Sequence, residues 1–214
     1  DRRGLALVAL AGVMLVAGQR SAVFALQGYS LVLMIAGLVW ALLGPAALRA
    51  AAFPIAFLLF MLPFPGPFVA QISYLLKEVT VRFSAAAAQG LGAALQREGM
   101  NLYLQEGVLR IENPCSGLRS LISLLATGAL FAYVQPGAAW RKGVLFLSAV
   151  PLAMLGNAAR ITALVLVAHY VGIPQATGGF HDATGFVVFA AALAGMIGLR
   201  RLLAAREPAA EART

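Results

Sequence analysis

Charge is what this chain has least of. Only 11% of its 214 residues are Asp, Glu, Lys or Arg, while 61% are apolar and the mean hydropathy is +0.87. Soluble domains carry about 25% charged residues. So few charges cannot cover a water-facing surface at this length, so lipid must be the solvent for most of the chain. Cysteine is nearly missing too. Cys115 stands alone, which excludes an internal disulfide and leaves the redox compartment unread. With it go only two histidines, His169 and His181, too few for a metal set, and no metal or cofactor is expected. The apolar runs hold no chain of acidic residues, which argues against an ion-coupled transporter. No internal repeat of fixed period is present.

What charge there is is basic, with a net of +8. It does not form a stripe with interleaved aromatics, so no nucleic-acid partner is expected. The apolar runs predict about six transmembrane spans, roughly 4–19, 22–43, 50–64, 115–134, 143–171 and 183–203. Arg2, Arg3, Arg49, Arg141, Lys142, Arg200, Arg201 and Arg206 then fall on one side, and the positive-inside rule makes that side cytoplasmic. The stretch 65–114 and the loop 172–182 face outward. Because the numbering opens at Asp1 and the run Leu5 to Ala17 is short for a span, a trimmed start is expected, with a signal peptide as the alternative.

In the outward stretch, Phe68, Ile72, Leu75, Leu76, Val79 and Phe83 recur at helical spacing, with Lys77, Glu78 and Arg82 on the other face. This predicts an interfacial amphipathic helix. Asn101–Leu104 and Val108–Glu112 alternate about a Gly-containing turn and predict a short β-hairpin outside the bilayer. The fold class is therefore an all-α polytopic membrane protein with that helix and hairpin added. Residues 1–206 are expected to form a single integral membrane domain, and 207–214 a disordered cytoplasmic tail.

Three clusters can carry chemistry. In Asn113-Pro114-Cys115-Ser116-Gly117-Leu118-Arg119, Asn113 suits a helix N-cap and Pro114 the first helical position. Cys115 then falls in the first turn, where free N–H groups favour a thiolate, and Arg119 shares its face and adds positive charge. The alternative is a buried cysteine acting as a small hydrophobe. In Gly156-Asn157-Ala-Ala-Arg160, a cation and an amide share one face of an apolar helix, which marks a functional site by default. A guanidinium there can bind a carboxylate or stabilise an oxyanion, or it is a structural Arg reaching for the outer surface. In Gly178–Asp182, His181 can act as base and acid beside Cys115. It can equally be a solvated residue next to a capping Asp182. His169 is the weaker candidate, being half a turn out of phase with Arg160. Adjacent residues do not normally face each other, so Asp182 is not assigned as the orienting group.

At these residues the chain resembles the exosortase/archaeosortase family. The matching pieces are Asn113-Pro-Cys-Ser-Gly-Leu-Arg119, Gly156-Asn-Ala-Ala-Arg-Ile161 and Phe180-His-Asp-Ala-Thr-Gly185. The run Phe53 to Pro65 is also similar to the family's third-span region. The resemblance implies a multi-pass protein of the bacterial inner membrane with its active site near the periplasmic face. It implies substrates anchored by a C-terminal PEP-CTERM-type sorting signal: a Pro-Glu-Pro-like motif, a transmembrane helix and a basic end. It further implies Cys115 as nucleophile, Arg160 as essential arginine and His181 as essential histidine, with Arg119, Asn157 and Asn113 in support. The acceptor would be water, a lipid or a glycan. Two other readings stay open: a serine-type intramembrane protease using Ser116, and a non-enzymatic subunit of an export or polysaccharide machine.

Overall fold

The computed structural model describes residues 1–63, 66–111 and 117–205, apart from the side chains of Phe68 and Ala205. The chain divides into two compact units, Asp1–Val69 and Ala70–Thr214.

The first unit is a helical hairpin followed by a short apolar piece. Helix α1 (Arg2–Arg20) buries Gly4, Ala11 and Gly18, three small residues seven apart, against α2 (Phe24–Ala50). Helices meet closely only where side chains are small. A Cβ on Gly37 would lie 2.9 Å from the backbone nitrogen of Val8, and one on Gly18 3.1 Å from that of Gln27. Gly44 (φ 83°, ψ 175°) ahead of Pro45 kinks α2, and the helix then continues through the expected loop at 44–49. As a result the expected span 50–64 shrinks to α3 (Ala52–Phe57) and a 3-10 turn, Leu58–Met61. That piece is far too short to cross about 30 Å of hydrocarbon.

In the second unit, α4 (Gly66–Gly90) is followed by strands β1 (Leu95–Glu98), β2 (Asn101–Leu104) and β3 (Gly107–Arg110). The expected hairpin is present as β2–β3, with Leu102 opposite Leu109. An antiparallel β1 extends it to three strands, so the protein is mostly helical rather than all-α. Leu95-Gln-Arg-Glu98 has one apolar residue among polar ones, so no alternation marks it as a strand. Helices α5 (Leu118–Val134), α6 (Ala139–Leu147), α7 (Ala149–Tyr170), α8 (Ile173–Thr177) and α9 (Gly179–Ala205) complete the unit.

Four stretches are long and apolar enough to cross a membrane: α1, α2, the α6–α7 run Ala139–Tyr170, and α9. This is a multi-pass membrane protein with four such helices among the described residues, not six. The expected span 115–134 is the shorter α5, of 17 residues.

Two cores hold the second unit. In one, the sheet's Leu102, Leu109 and Ile111 pack with α4's Val81 and with Ile161 and Val165 of α7. In the other, Leu124 of α5 packs with Leu145, Ala153 and Met196. Helix α4 is turned opposite to a soluble amphipathic helix. Its buried stripe is Ser73, Thr80, Val81, Ser84, Ala85 and Ala88, while Leu75, Val79 and Phe83 are exposed. Small residues let it lie close to α7, where the Ser84 hydroxyl donates to the Ala158 carbonyl at 3.0 Å. Tail residues 207–214 lie outside the described residues.

Candidate active site

The site is built on α7. Asn157 is 5% exposed, and Arg160, one turn on, is half-buried on the same face. Neither is cheap to bury in an apolar helix. Arg160 meets His181, which the structure places in the first turn of α9 rather than in a loop. One guanidinium nitrogen, Nη2, lies 3.4 Å from His181 Nδ1 and 3.2 Å from Nε2, and donates to the His181 carbonyl at 3.0 Å. A nitrogen so nearly equidistant from both ring nitrogens would collide with Cε1 if it lay in the ring plane. It therefore sits over the ring face, and the in-plane proton-transfer directions of the imidazole are not taken up by Arg160. The Nε–H of Arg160 is buried and has no acceptor among the described residues.

Gly185, one turn after His181, lies beside this pair. A Cβ there would lie 3.4 Å from Arg160 Cζ. His181 Nδ1 is 3.4 Å from the exposed Asp182 carboxylate. The adjacent pair thus do face each other, at the long limit of a hydrogen bond. Asp182 lies in the helix's first turn.

Two narrow clefts flank Asn157. One, about 280 Å³ including its open mouth, is lined by Ser120, Gly156, Asn157, Arg160, Gly185 and neighbouring apolar side chains. The other, about 190 Å³, is lined by Leu76, Thr80, Gly117, Leu121, Ala153, Met154 and Asn157.

Cys115, Asn113 and Ser116 lie outside the described residues. The chain reappears at Gly117, which touches Asn157. Helix α5 begins at Leu118 with Gly117 (φ 73°) as its N-cap; the expected helix start at Asn113-Pro114 lies outside the described residues. Arg119 is exposed in the first turn of α5, and its relation to Cys115 lies outside the described residues.

His169 belongs to a different neighbourhood. It lies 3.7 Å from Glu106 in the β2–β3 turn and stacks edge-on with Tyr170, so of the two histidines the structure brings His181 to Arg160. At the far end of the unit, Arg200 Nε donates to Gln135 at 3.1 Å and its guanidinium covers the Phe131 ring. Arg160 is nineteen residues from Arg141, and His181 nineteen from Arg200. At 1.5 Å per residue each separation is about 28 Å, close to a hydrocarbon thickness.

Gly117, Ser120 and Gly185 are site residues that sequence reasoning missed. Gly185 carried a signal, standing four residues after His181 and so on its face once α9 starts early enough.

A family model described as transmembrane exosortase (Exosortase_EpsH) matches residues 1–198. A search of curated proteins finds no match to the chain. A search of solved structures finds none either.

Proposed function

The chain belongs to the transmembrane exosortase family, and from that premise we propose that it is a cysteine transpeptidase or protease acting on membrane-anchored proteins with a C-terminal PEP-CTERM-type signal. Residues 1–206 act as one functional domain in this reading. The observation that carries it is the pairing of Arg160 with His181, with Gly117, two residues after Cys115, against Asn157 one turn away.

Two observations support an outward-facing site. An open three-stranded sheet cannot lie in hydrocarbon, and its core packs on the Ile161–Ala168 end of α7. Arg141, Lys142, Arg200 and Arg201 belong to the other end and favour the cytoplasm. The site then opens at the periplasmic face of a bacterial inner membrane.

In the reaction, the substrate's own helix docks laterally and its acidic-proline motif reaches Cys115. The Cys115 thiolate attacks the scissile carbonyl. Arg160, whose buried Nε–H lacks an acceptor among the described residues, stabilises the oxyanion. As the intermediate collapses, the C–N bond breaks and His181 gives a proton to the leaving amine. The thioester that remains is attacked by water or by an amine on a lipid or glycan. The attacker loses its proton to His181 and the thiolate is released.

The test is co-expression in membranes with a tagged PEP-CTERM-type substrate, comparing wild type with Cys115→Ala. The expected result is a shortened product and a hydroxylamine-sensitive adduct, both lost without the thiol. A folded Cys115→Ala variant that still processes substrate overturns the cysteine reading and moves the nucleophile to Ser116. Wild type that binds substrate without cleaving it favours the non-enzymatic subunit.

A further inference from the structure

Gly117 is held to glycine by two separate demands. Its φ of 73° and ψ of −2° lie in the left-handed region, where a side chain is strained. A Cβ there would also lie 2.9 Å from Asn157 Nδ2, 3.0 Å from its Cγ and 3.2 Å from its Cβ. The three nearest atoms behind the second demand all belong to one side chain. That side chain is a buried amide in an otherwise apolar stretch of α7, a position an alanine would fill without desolvating a polar group. The Gly117 carbonyl accepts the first hydrogen bond of α5, from Leu121 N–H at 2.8 Å, so where Gly117 rests decides where α5 begins. Asn157 and Arg160 are one turn apart on one rigid helix.

We propose that Asn157 and Gly117 are a positioning pair: bare backbone at Gly117 seats against the Asn157 amide and sets the distance between the chain leaving Cys115 and the Arg160–His181 pair. The role assigned to both is one of position. Their effect on catalysis rests on Cys115 being the nucleophile; the contact itself does not.

The lone cysteine makes the test direct, because maleimide alkylation of this chain in membranes reports on Cys115 alone. Gly117→Ala should lower kcat at least about tenfold and leave KM within about twofold, the pattern of lost positioning rather than lost binding. It should also shift the Cys115 alkylation rate at least about threefold. Asn157→Ala removes the two nearest atoms and leaves only the strained φ, so Gly117→Ala should cost clearly less in the Asn157→Ala background than in wild type instead of showing fully multiplied losses. Wild-type kcat and alkylation in Gly117→Ala, or losses that multiply, overturn the pair. Should Gly117→Ala fail to accumulate, Asn157→Leu and Asn157→Ser carry the test. Altered alkylation in the folded variants supports the pair, and unchanged alkylation in both overturns it. Because alkylation needs no turnover, it decides on the pair even if Cys115→Ala still processes substrate.

Discussion

Residues 1–69 and the unit from Ala70 on solve different problems with the same apolar alphabet. In the first, α1 buries only glycine and alanine, and its Leu5, Leu10, Val13 and Val16 are exposed. That is packing without a hydrophobic drive between helices: lipid is as apolar as leucine, so close backbone approach holds the pair. The second unit buries Ser73, Thr80, Ser84, Gln135 and Asn157 and carries an open sheet. Each buried polar group there costs free energy that must be offset by a partner or justified by chemistry. The contrast teaches that a hydropathy profile finds the apolar α1–α2 hairpin of the first unit and is blind to what distinguishes the second.

The sharpest way to break this comparison is at the site. Arg160→Ala or His181→Ala should lower processing by about 10²- to 10⁴-fold, the range for loss of an oxyanion stabiliser or a general acid. The accumulated protein should keep its helical content by circular dichroism. Arg160→Lys should recover little, since the lysine chain ends one bond short of the Nη2 position that meets both the imidazole and the His181 carbonyl. Activity near wild type in either alanine variant would remove the pair from the mechanism. A weaker probe is Gly185→Val, whose branched side chain crowds the guanidinium. It should lower kcat roughly tenfold through misplaced Arg160, read in a kinetic comparison at saturating substrate.

The matching probe of the first unit is Gly37→Leu, which drives a large side chain into α1. It should cost about 1–3 kcal/mol and show as reduced abundance or lower thermal stability in detergent. Turnover per inserted molecule should stay within about twofold, given that no site residue lies before Ala70. A large fall in specific activity would show that the first unit contributes to catalysis. The smallest effect is expected from Ser84→Ala, which removes one hydroxyl bond to α7. About 0.6–1 kcal/mol of stability should go, measured by the same thermal assay, with turnover little changed.

The lipid-facing character, the β2–β3 hairpin and the candidate residues Cys115, Asn157, Arg160 and His181 were all legible, because each depends on residue type or on short-range periodicity. Other features were not. Gly44-Pro45 reads as a loop, yet a single non-helical residue suffices to kink α2 and let it run on to Ala50. Gly178 to Asp182 likewise reads as a loop, although α9 starts at Gly179. Glycine-rich segments carry weak local preference, so tertiary packing decides their state. The exposed Leu75, Val79 and Phe83 of α4 agree with the interfacial helix expected there, whereas the packing of its small residues Ser84, Ala85 and Ala88 against the rest of the unit was not legible.

By itself the sequence determined that this chain lives in a bilayer, how its basic residues are sorted between spans, and that one thiol, one guanidinium and one imidazole were available for chemistry. Composition and spacing suffice for this, since the solvent sorts residues by type. The tertiary structure alone decided that His181 rather than His169 meets Arg160, that Gly117 rests on Asn157, and that the α7 face carrying them ends beside a sheet. The first two are contacts between residues 21 and 40 positions apart in the chain. They depend on how helices cross and which small side chains let them approach, and no local pattern encodes that.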